Sequence, residues 1–188
     1  SIMVGYALTR YKFKGKKLFM GFLLASQFIP AAVLLVPLFN IFQGVGLVGT
    51  KTAIVLVNIT FHIPFNAILM KGFIEGIPFE LEEAAAIDGC SYMRILWGIV
   101  VPLIKPGISV TSVFTFRTAW NEFLLAIILS NRSTRTLPAA VSLMISDLGI
   151  NWGQIMAMAT IIAIPAFIVT FACSKNLITG MTAGAVKG

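Results

Sequence analysis

Long apolar blocks alternate with short polar ones along this chain. Residues 18–50 carry no charge at all. A helix that crosses a bilayer needs about 20 apolar residues, so this block predicts one span over about 18–41 and an outer turn after it. Three further blocks predict spans over about 52–70, 107–129 and 155–174. Residues 1–9 read as the end of a preceding span and run straight into a basic cluster. The expectation is an all-α polytopic membrane protein forming a single transmembrane domain over 1–188, N-terminally truncated, its sequence starting part-way through a longer polypeptide. Pro30 and Pro37 fall inside the first full span, Pro64 inside the second and Pro165 inside the fourth. Each proline removes one helical hydrogen bond. In a membrane bundle neighbouring helices can satisfy the freed carbonyl, so kinked helices are expected.

Composition agrees with this pattern. Hydrophobic residues make up 58% and charged residues 11% of the chain, and the mean hydropathy is +0.95. A soluble domain carries roughly a quarter charged residues, so membrane lipid is the natural solvent here. The net charge of +7 is then first a topology signal, because cytoplasmic loops are enriched in Lys and Arg. Arg10, Lys12, Lys14, Lys16 and Lys17 form a belt, Lys71, Arg94 and Lys105 flank residues 71–106, and Lys175 and Lys187 lie near the end. Against them stand Lys51, Arg132 and Arg135. The belt, the 71–106 stretch and the tail 175–188 are thereby placed on the cytoplasmic side. Residues 42–51 and the loop 130–152 face outside, with Trp152 at the outer interface.

Several chemistries are disfavoured. The basic belt is short and lacks a stacking platform, which argues against nucleic acid. The Gly-rich run 43–49 lacks the Lys-Ser/Thr pair of a phosphate loop and predicts a turn. Cys90 and Cys173 have no metal-ligand spacing. His62 is the chain's one histidine, and packing with a hydrogen bond is its expected role, so neither a catalytic set nor a metal site is predicted. The third span carries Arg117, Asn121 and Glu122. Arg117 and Asn121, four apart, share a face. Arg117 and Glu122, five apart, diverge by about 140°. These three are candidates for the translocation pathway or for pairing with a partner helix. An ion-driven transporter or channel would want several carboxylates in its spans, and only Glu122 qualifies.

The most informative polar block is 80–106. Four of the seven acidic residues, Glu80, Glu82, Glu83 and Asp88, fall within nine positions. Pro78 suits a helix start, and the three glutamates favour a helix N-terminus. Ala84, Ala85 and Ala86 have the highest helix propensity. Gly89 fits a C′ position, and Ser91 fits the cap of a second helix. Nothing encloses the carboxylates as an acid–base pair. A small-faced helix with acidic flanks suits docking into a groove of a partner, and its bland alternative is a solvated loop helix.

Glu83-Ala84-Ala85-x-x-x-Gly89, followed by Ile99-x-Val101-Pro102, resembles the EAA motif of permease subunits in bacterial ATP-binding-cassette (ABC) importers. Val101 stands where that motif has Leu. The run from Pro78 to Gly89, Thr115-Phe-x-x-x-Trp-Asn-Glu-Phe123, Arg135-Thr-Leu-Pro138 and the ending 180–188 resemble the carbohydrate-uptake branch, in particular the second permease subunit of maltose-type transporters. The resemblance implies a type I permease-like helical bundle, six spans in family members, and a sugar importer of the cytoplasmic (inner) membrane of bacteria or archaea. It implies that segment 75–106 is a coupling segment seated in an ATPase subunit, through Glu80, Glu82, Glu83, Ala84, Ala85, Asp88 and Gly89. Thr182, Gly184 and Lys187 would lie in a tail reaching between two ATPase subunits. The 132–150 loop would touch an extracytoplasmic solute-binding protein, and a second permease subunit would complete the pathway. No cofactor would bind this chain directly, since ATP and Mg would sit on the ATPase partners, and this subunit would not be an enzyme. A glycerol phosphate or another polyol derivative is the alternative cargo.

Overall fold

A computed structural model of the chain describes residues 1–146 and 149–185, with 146 and 174–185 described as backbone alone. The fold is helical. In order it comprises α1 (Ile2–Arg10), α2 (Lys16–Ser26), a 3-10 turn (Ala31–Leu34), α3 (Leu35–Gly44), α4 (Lys51–Glu75), α5 (Glu80–Ile87) and α6 (Tyr92–Ile95). A π-helical turn (Leu96–Val100) leads into α7 (Val101–Leu103), and then come α8 (Lys105–Trp120), α9 (Leu124–Leu129), α10 (Leu137–Ala140) and α11 (Trp152–Ala185). Between α10 and α11 lie a second 3-10 turn (Val141–Met144) and a two-residue antiparallel pair, β1 (Ile145–Ser146) with β2 (Gly149–Ile150).

Helix α4 and the Trp152–Cys173 part of α11 are each long and apolar enough to cross a membrane. At 1.5 Å per residue the 25 residues of α4 reach about 37 Å, beyond the roughly 30 Å of a hydrocarbon core. The 18–41 block differs from the single helix expected there. Pro30 disfavours helix at the residue before it and donates no hydrogen bond. Ser26 Oγ also donates to the Leu23 carbonyl at 2.8 Å, closing off the end of α2. Pro37 breaks nothing, because it lies in the first turn of α3, where N–H groups have no helical partner. The helix expected over 107–129 is likewise broken. Asn121 Nδ2 donates to the Arg117 carbonyl at 2.7 Å and ends α8, and α9 restarts at Leu124. In the tail, helix α11 runs on to Ala185.

By its internal contacts the chain divides into two compact units. The first combines Ser1–Ser26, Ile63–Phe114 and Ala172–Gly188. Its main core packs Tyr6 with Met70, Ile74 and Ile77 of the α4 end, Ala85 of α5, and Ile95, Leu96, Val100 and Ile104 of the segment beyond. A smaller cluster joins Leu8, Leu23 and Ala67. Helix α1 approaches α4 closely at Gly5. A Cβ there would lie 2.9 Å from Lys71 N and Met70 Cβ and 3.0 Å from the Ala67 carbonyl of α4.

The second unit combines Gln27–His62 and Thr115–Phe171. Ala53 and Val57 of α4 pack with Leu125 and Leu129 of α9, beneath Leu35, Leu38 and Phe42 of α3. Trp120 Nε1 donates to the Ile162 carbonyl at 2.9 Å, tying α8 to α11 one turn before Pro165. Thr50 caps α4 by accepting from Ala53 N at 3.1 Å.

Candidate functional site

Helix α5 has two chemically different faces. Glu82 and Ala85, three apart, are buried against the chain's own core. Glu80, Glu83, Ala84 and Ile87 follow the i, i+3, i+4, i+7 spacing of a single stripe and are all exposed, Ile87 at 86%. The carboxylates that the sequence groups together are therefore divided. Glu80 and Glu83 face outward, whereas Glu82 is only 4% exposed.

A buried carboxylate needs partners for both oxygens, because the desolvation penalty is several kcal/mol per ion. Glu82 has them. Arg10 Nε donates to Oε1 at 2.7 Å and Tyr6 Oη donates to Oε2 at 2.7 Å. Arg10 makes further contacts. Its Nη2 donates to the carbonyls of Ile77 at 2.9 Å and Ile74 at 3.2 Å, in the turn where α4 gives way to α5. The guanidinium carbon also lies 5.4 Å from the centre of the Phe79 ring, within cation–π range. One Arg side chain, 11% exposed, thus holds the ends of α1 and α4 and the inner face of α5. Tyr6 and Arg10 are four apart on α1, so both reach the same carboxylate from one helix face.

The turn after α5 is the one the residues predict. Gly89 has φ +80°, a conformation that costs an L side chain roughly 1–2 kcal/mol. Its N–H donates to the Ala86 carbonyl at 3.0 Å, and the Cys90 N–H donates to the Ala85 carbonyl at 3.0 Å. This pair of bonds is a Schellman motif. Ser91 Oγ caps α6 by accepting from Arg94 N. Helix α5 begins at Glu80, so Pro78 precedes its first turn and does not occupy it. Beyond α6, the Val101 N–H reaches back to the Leu96 carbonyl, and Pro102 one position later has no N–H to offer Gly98. The helix widens there into its π turn. Segment Tyr92–Leu103 then meets α8 at a 76° bend, with Pro106 in the first turn of α8.

The other sequence candidates fall in different places. Arg117 is exposed and Glu122 half-buried, and they form no ion pair with each other. Glu122 Oε1 accepts from Leu125 N at 2.6 Å and Oε2 from Ala126 N at 2.9 Å, so its carboxylate caps α9. Asn121 bonds the Arg117 backbone. The trio lies at the break between α8 and α9, where the side-chain polar atoms of Asn121 and Glu122 serve backbone groups. His62 Nδ1 lies 2.7 Å from the Asn58 carbonyl and Nε2 lies 2.5 Å from Thr118 Oγ1, a packed, hydrogen-bonded ring. Asn131 fastens the start of the 130–152 loop to the turn before α4, with Nδ2 donating to the Gly49 carbonyl at 3.0 Å and Oδ1 accepting from Ser133 N at 2.9 Å. Thr182 and Gly184 lie on the backbone of α11. Asp147 of the loop and Lys187 lie outside the described residues. Among the described residues no group of His, Cys, Asp and Glu could hold a metal ion.

Tyr6 and Arg10 are the site residues that sequence reasoning missed. Arg10 belongs to the basic belt in sequence, and nothing in the charge pattern separates it from the lysines. Glu82 carries a detectable signal, because at 100° per residue it falls off the stripe shared by Glu80, Glu83 and Ile87.

Two helices long and apolar enough to cross a membrane, together with a short helix that exposes an acidic face, are the features of a membrane protein. The chain belongs to the family described as binding-protein-dependent transport system inner membrane component, whose model matches residues 1–182. It is 35% identical over 189 residues to the sulfoquinovosyl glycerol transport system permease protein SmoH of Agrobacterium fabrum, covering 100% of this chain and 66% of that protein. It is 35% identical over 185 residues to the diacetylchitobiose uptake system permease protein DasC of Streptomyces coelicolor, covering 97% of this chain and 67% of that one. Among solved structures it is similar to a chain of a bacterial ABC transporter involved in the import of the acidic polysaccharide alginate. That match has a TM-score of 0.74 and 26% identity, and covers 94% of this chain and 67% of the other. The chain thus spans about two thirds of the length of these relatives.

Proposed function

We propose that this chain is a permease subunit of an ATP-driven importer of sugars or glycosides in a prokaryotic cytoplasmic membrane, crossing that membrane several times. The outward stripe Glu80, Glu83, Ala84 and Ile87 is the seat for an ATPase subunit. Its small alanine allows close approach, its two carboxylates suit a basic partner groove, and Ile87 supplies an apolar knob. Hydrolysis of MgATP takes place on that partner. A second permease subunit completes the pathway, and an extracytoplasmic binding protein delivers cargo near the 130–152 loop. The observation that carries this reading is the division of α5 into an inward Glu82 and an outward, exposed Glu80–Ile87 stripe, in a chain matched to this family over nearly its whole length. The carbohydrate cargoes named for SmoH and DasC support the substrate class. In the cycle, ATP closes the ATPase pair, α5 follows, and the spans shift toward the outward-open state by the differential affinity of ATP for the two states.

The test is hydrolysis by the purified whole complex. Glu83→Lys reverses a charge on the seat, and Gly89→Pro imposes the wrong φ at the turn. Both are expected to insert in the membrane but to lose cargo-stimulated hydrolysis. Normal stimulation in both, or a permease that purifies with no ATPase, overturns the reading. A thermal-shift screen of the binding protein against sugars identifies the cargo.

A further inference from the structure

We infer that Glu82, Tyr6 and Arg10 form the joint that turns movement of α5 into movement of α1. This inference rests on the seat proposed above and says where force goes after it arrives there. Helix α5 is short and is joined to the end of α4 by the linker 76–79. Pushed only through that linker, it would pivot on Gly76–Phe79. The Glu82 carboxylate removes the pivot. Its Oε1 is held by Arg10 Nε and its Oε2 by Tyr6 Oη, each at 2.7 Å. Both donors sit on α1, one turn apart, so they resist rotation as well as translation of the carboxylate. Arg10 Nη2 also bonds the Ile74 and Ile77 carbonyls on either side of Gly76, which stiffens the linker itself. An edge-on contact of Tyr6 with Tyr11 at 6.2 Å, and of Tyr11 with Tyr92 of α6 at 6.4 Å, ties the second helix of the segment to the same end of α1. Helix α1 in turn meets α4 with backbone against backbone at Gly5, so a displaced α1 has no soft layer in which to dissipate the motion.

Glu82, Tyr6 and Arg10 are positioning residues, because they are buried in the chain's own packing and act through one another. Their variants are expected to lower cargo moved per ATP hydrolysed, a ratio that a merely structural role leaves unchanged in whatever fraction of complexes assembles. The experiment uses the whole complex in lipid discs, with binding protein and a mixture of maltose, trehalose and diacetylchitobiose as the probe. It measures the ratio of stimulated to unstimulated hydrolysis, uptake per ATP in vesicles, and melting temperature. Glu82→Gln is expected to lower the stimulation ratio by about tenfold or more, the effect of weakening charge-assisted hydrogen bonds. Tyr6→Phe keeps the Arg10–Glu82 pair and so keeps the fold, and it is expected to lower the ratio about tenfold, for loss of one hydrogen bond to a charged group. A lowered melting temperature with unchanged stimulation and unchanged uptake per ATP, in both variants, overturns the joint. The Glu83→Lys variant, run alongside, separates the two ideas. If it loses stimulation while Glu82→Gln and Tyr6→Phe keep it, the joint falls and the seat stands. If it too keeps stimulation, both fall.

Discussion

Gly5→Ala tests whether α1 and α4 move as one body. The added methyl would meet Lys71 N and Met70 Cβ at 2.9 Å and the Ala67 carbonyl at 3.0 Å, against an optimum of about 3.5–4.0 Å for carbon contacts. Lys71 N and the Ala67 carbonyl belong to the α4 backbone, which cannot rotate aside as a side-chain tip would. The helices must therefore separate by several tenths of an ångström. Overpacking of this kind costs about 1–3 kcal/mol. A glycine-to-alanine change in a helix also gains about 0.8–1.0 kcal/mol of propensity, which would mask a small clash. Gly21→Ala in α2 supplies the reference, because nothing lies within 4 Å of its added Cβ. The propensity gain is common to both variants and cancels in the comparison. The expected difference is the overpacking cost alone, about 1–3 kcal/mol, with Gly5→Ala the less stable. Detergent unfolding of the purified chain in mixed micelles, followed by far-ultraviolet circular dichroism, reads this difference. Equal stability of the two variants would refute the backbone-to-backbone contact, and with it the stiffness assigned to the α1–α4 pair.

Two further outcomes are expected. Glu122→Ala should lose about 0.5–2 kcal/mol, the usual value of an N-terminal cap, and Glu122→Gln less, since its one remaining oxygen can still accept a backbone N–H. Transport should survive in Glu122→Gln, and its loss at unchanged stability would show that the carboxylate acts on cargo instead of on α9. Arg10→Met should destabilise the chain by about 3–5 kcal/mol, because it leaves the Glu82 charge buried and unpaired. A loss below 1 kcal/mol in the same unfolding assay would show that water reaches the Glu82 carboxylate.

How much of this was legible in the residues depends on the range of the physics involved. The Gly89 turn is local. A glycine after three alanines, with Ser91 two residues on, predicts a Schellman end and a capped restart, and both are present. The position of α4 follows from apolar length alone. Breaks were harder to foresee. Pro30 and Pro37 are the same residue type, yet only Pro30 interrupts, because Pro37 falls where a helix starts and loses nothing. The break at 121–123 depends on Asn121 and Glu122 turning their side chains onto backbone groups, a competition that sequence pattern does not resolve. Tyr6 and Arg10 were invisible as site residues because their partner lies more than 70 positions away. The Glu82 face could be read from helical period, but the identity of the helix it meets could not.

Arg10 also has a place in the protein's biogenesis. The charge pattern predicts that, while the chain is threaded into the bilayer, a nascent Arg10 is one of five positive charges that hold this end on the cytoplasmic face. Once folded it is withdrawn from water and spoken for by Glu82 and two carbonyls. The four lysines, Lys12, Lys14, Lys16 and Lys17, stay behind as the address label. Neutralising Arg10 is therefore expected to leave the orientation of insertion intact, so that defects in its variants report on the finished protein and not on its delivery to the membrane.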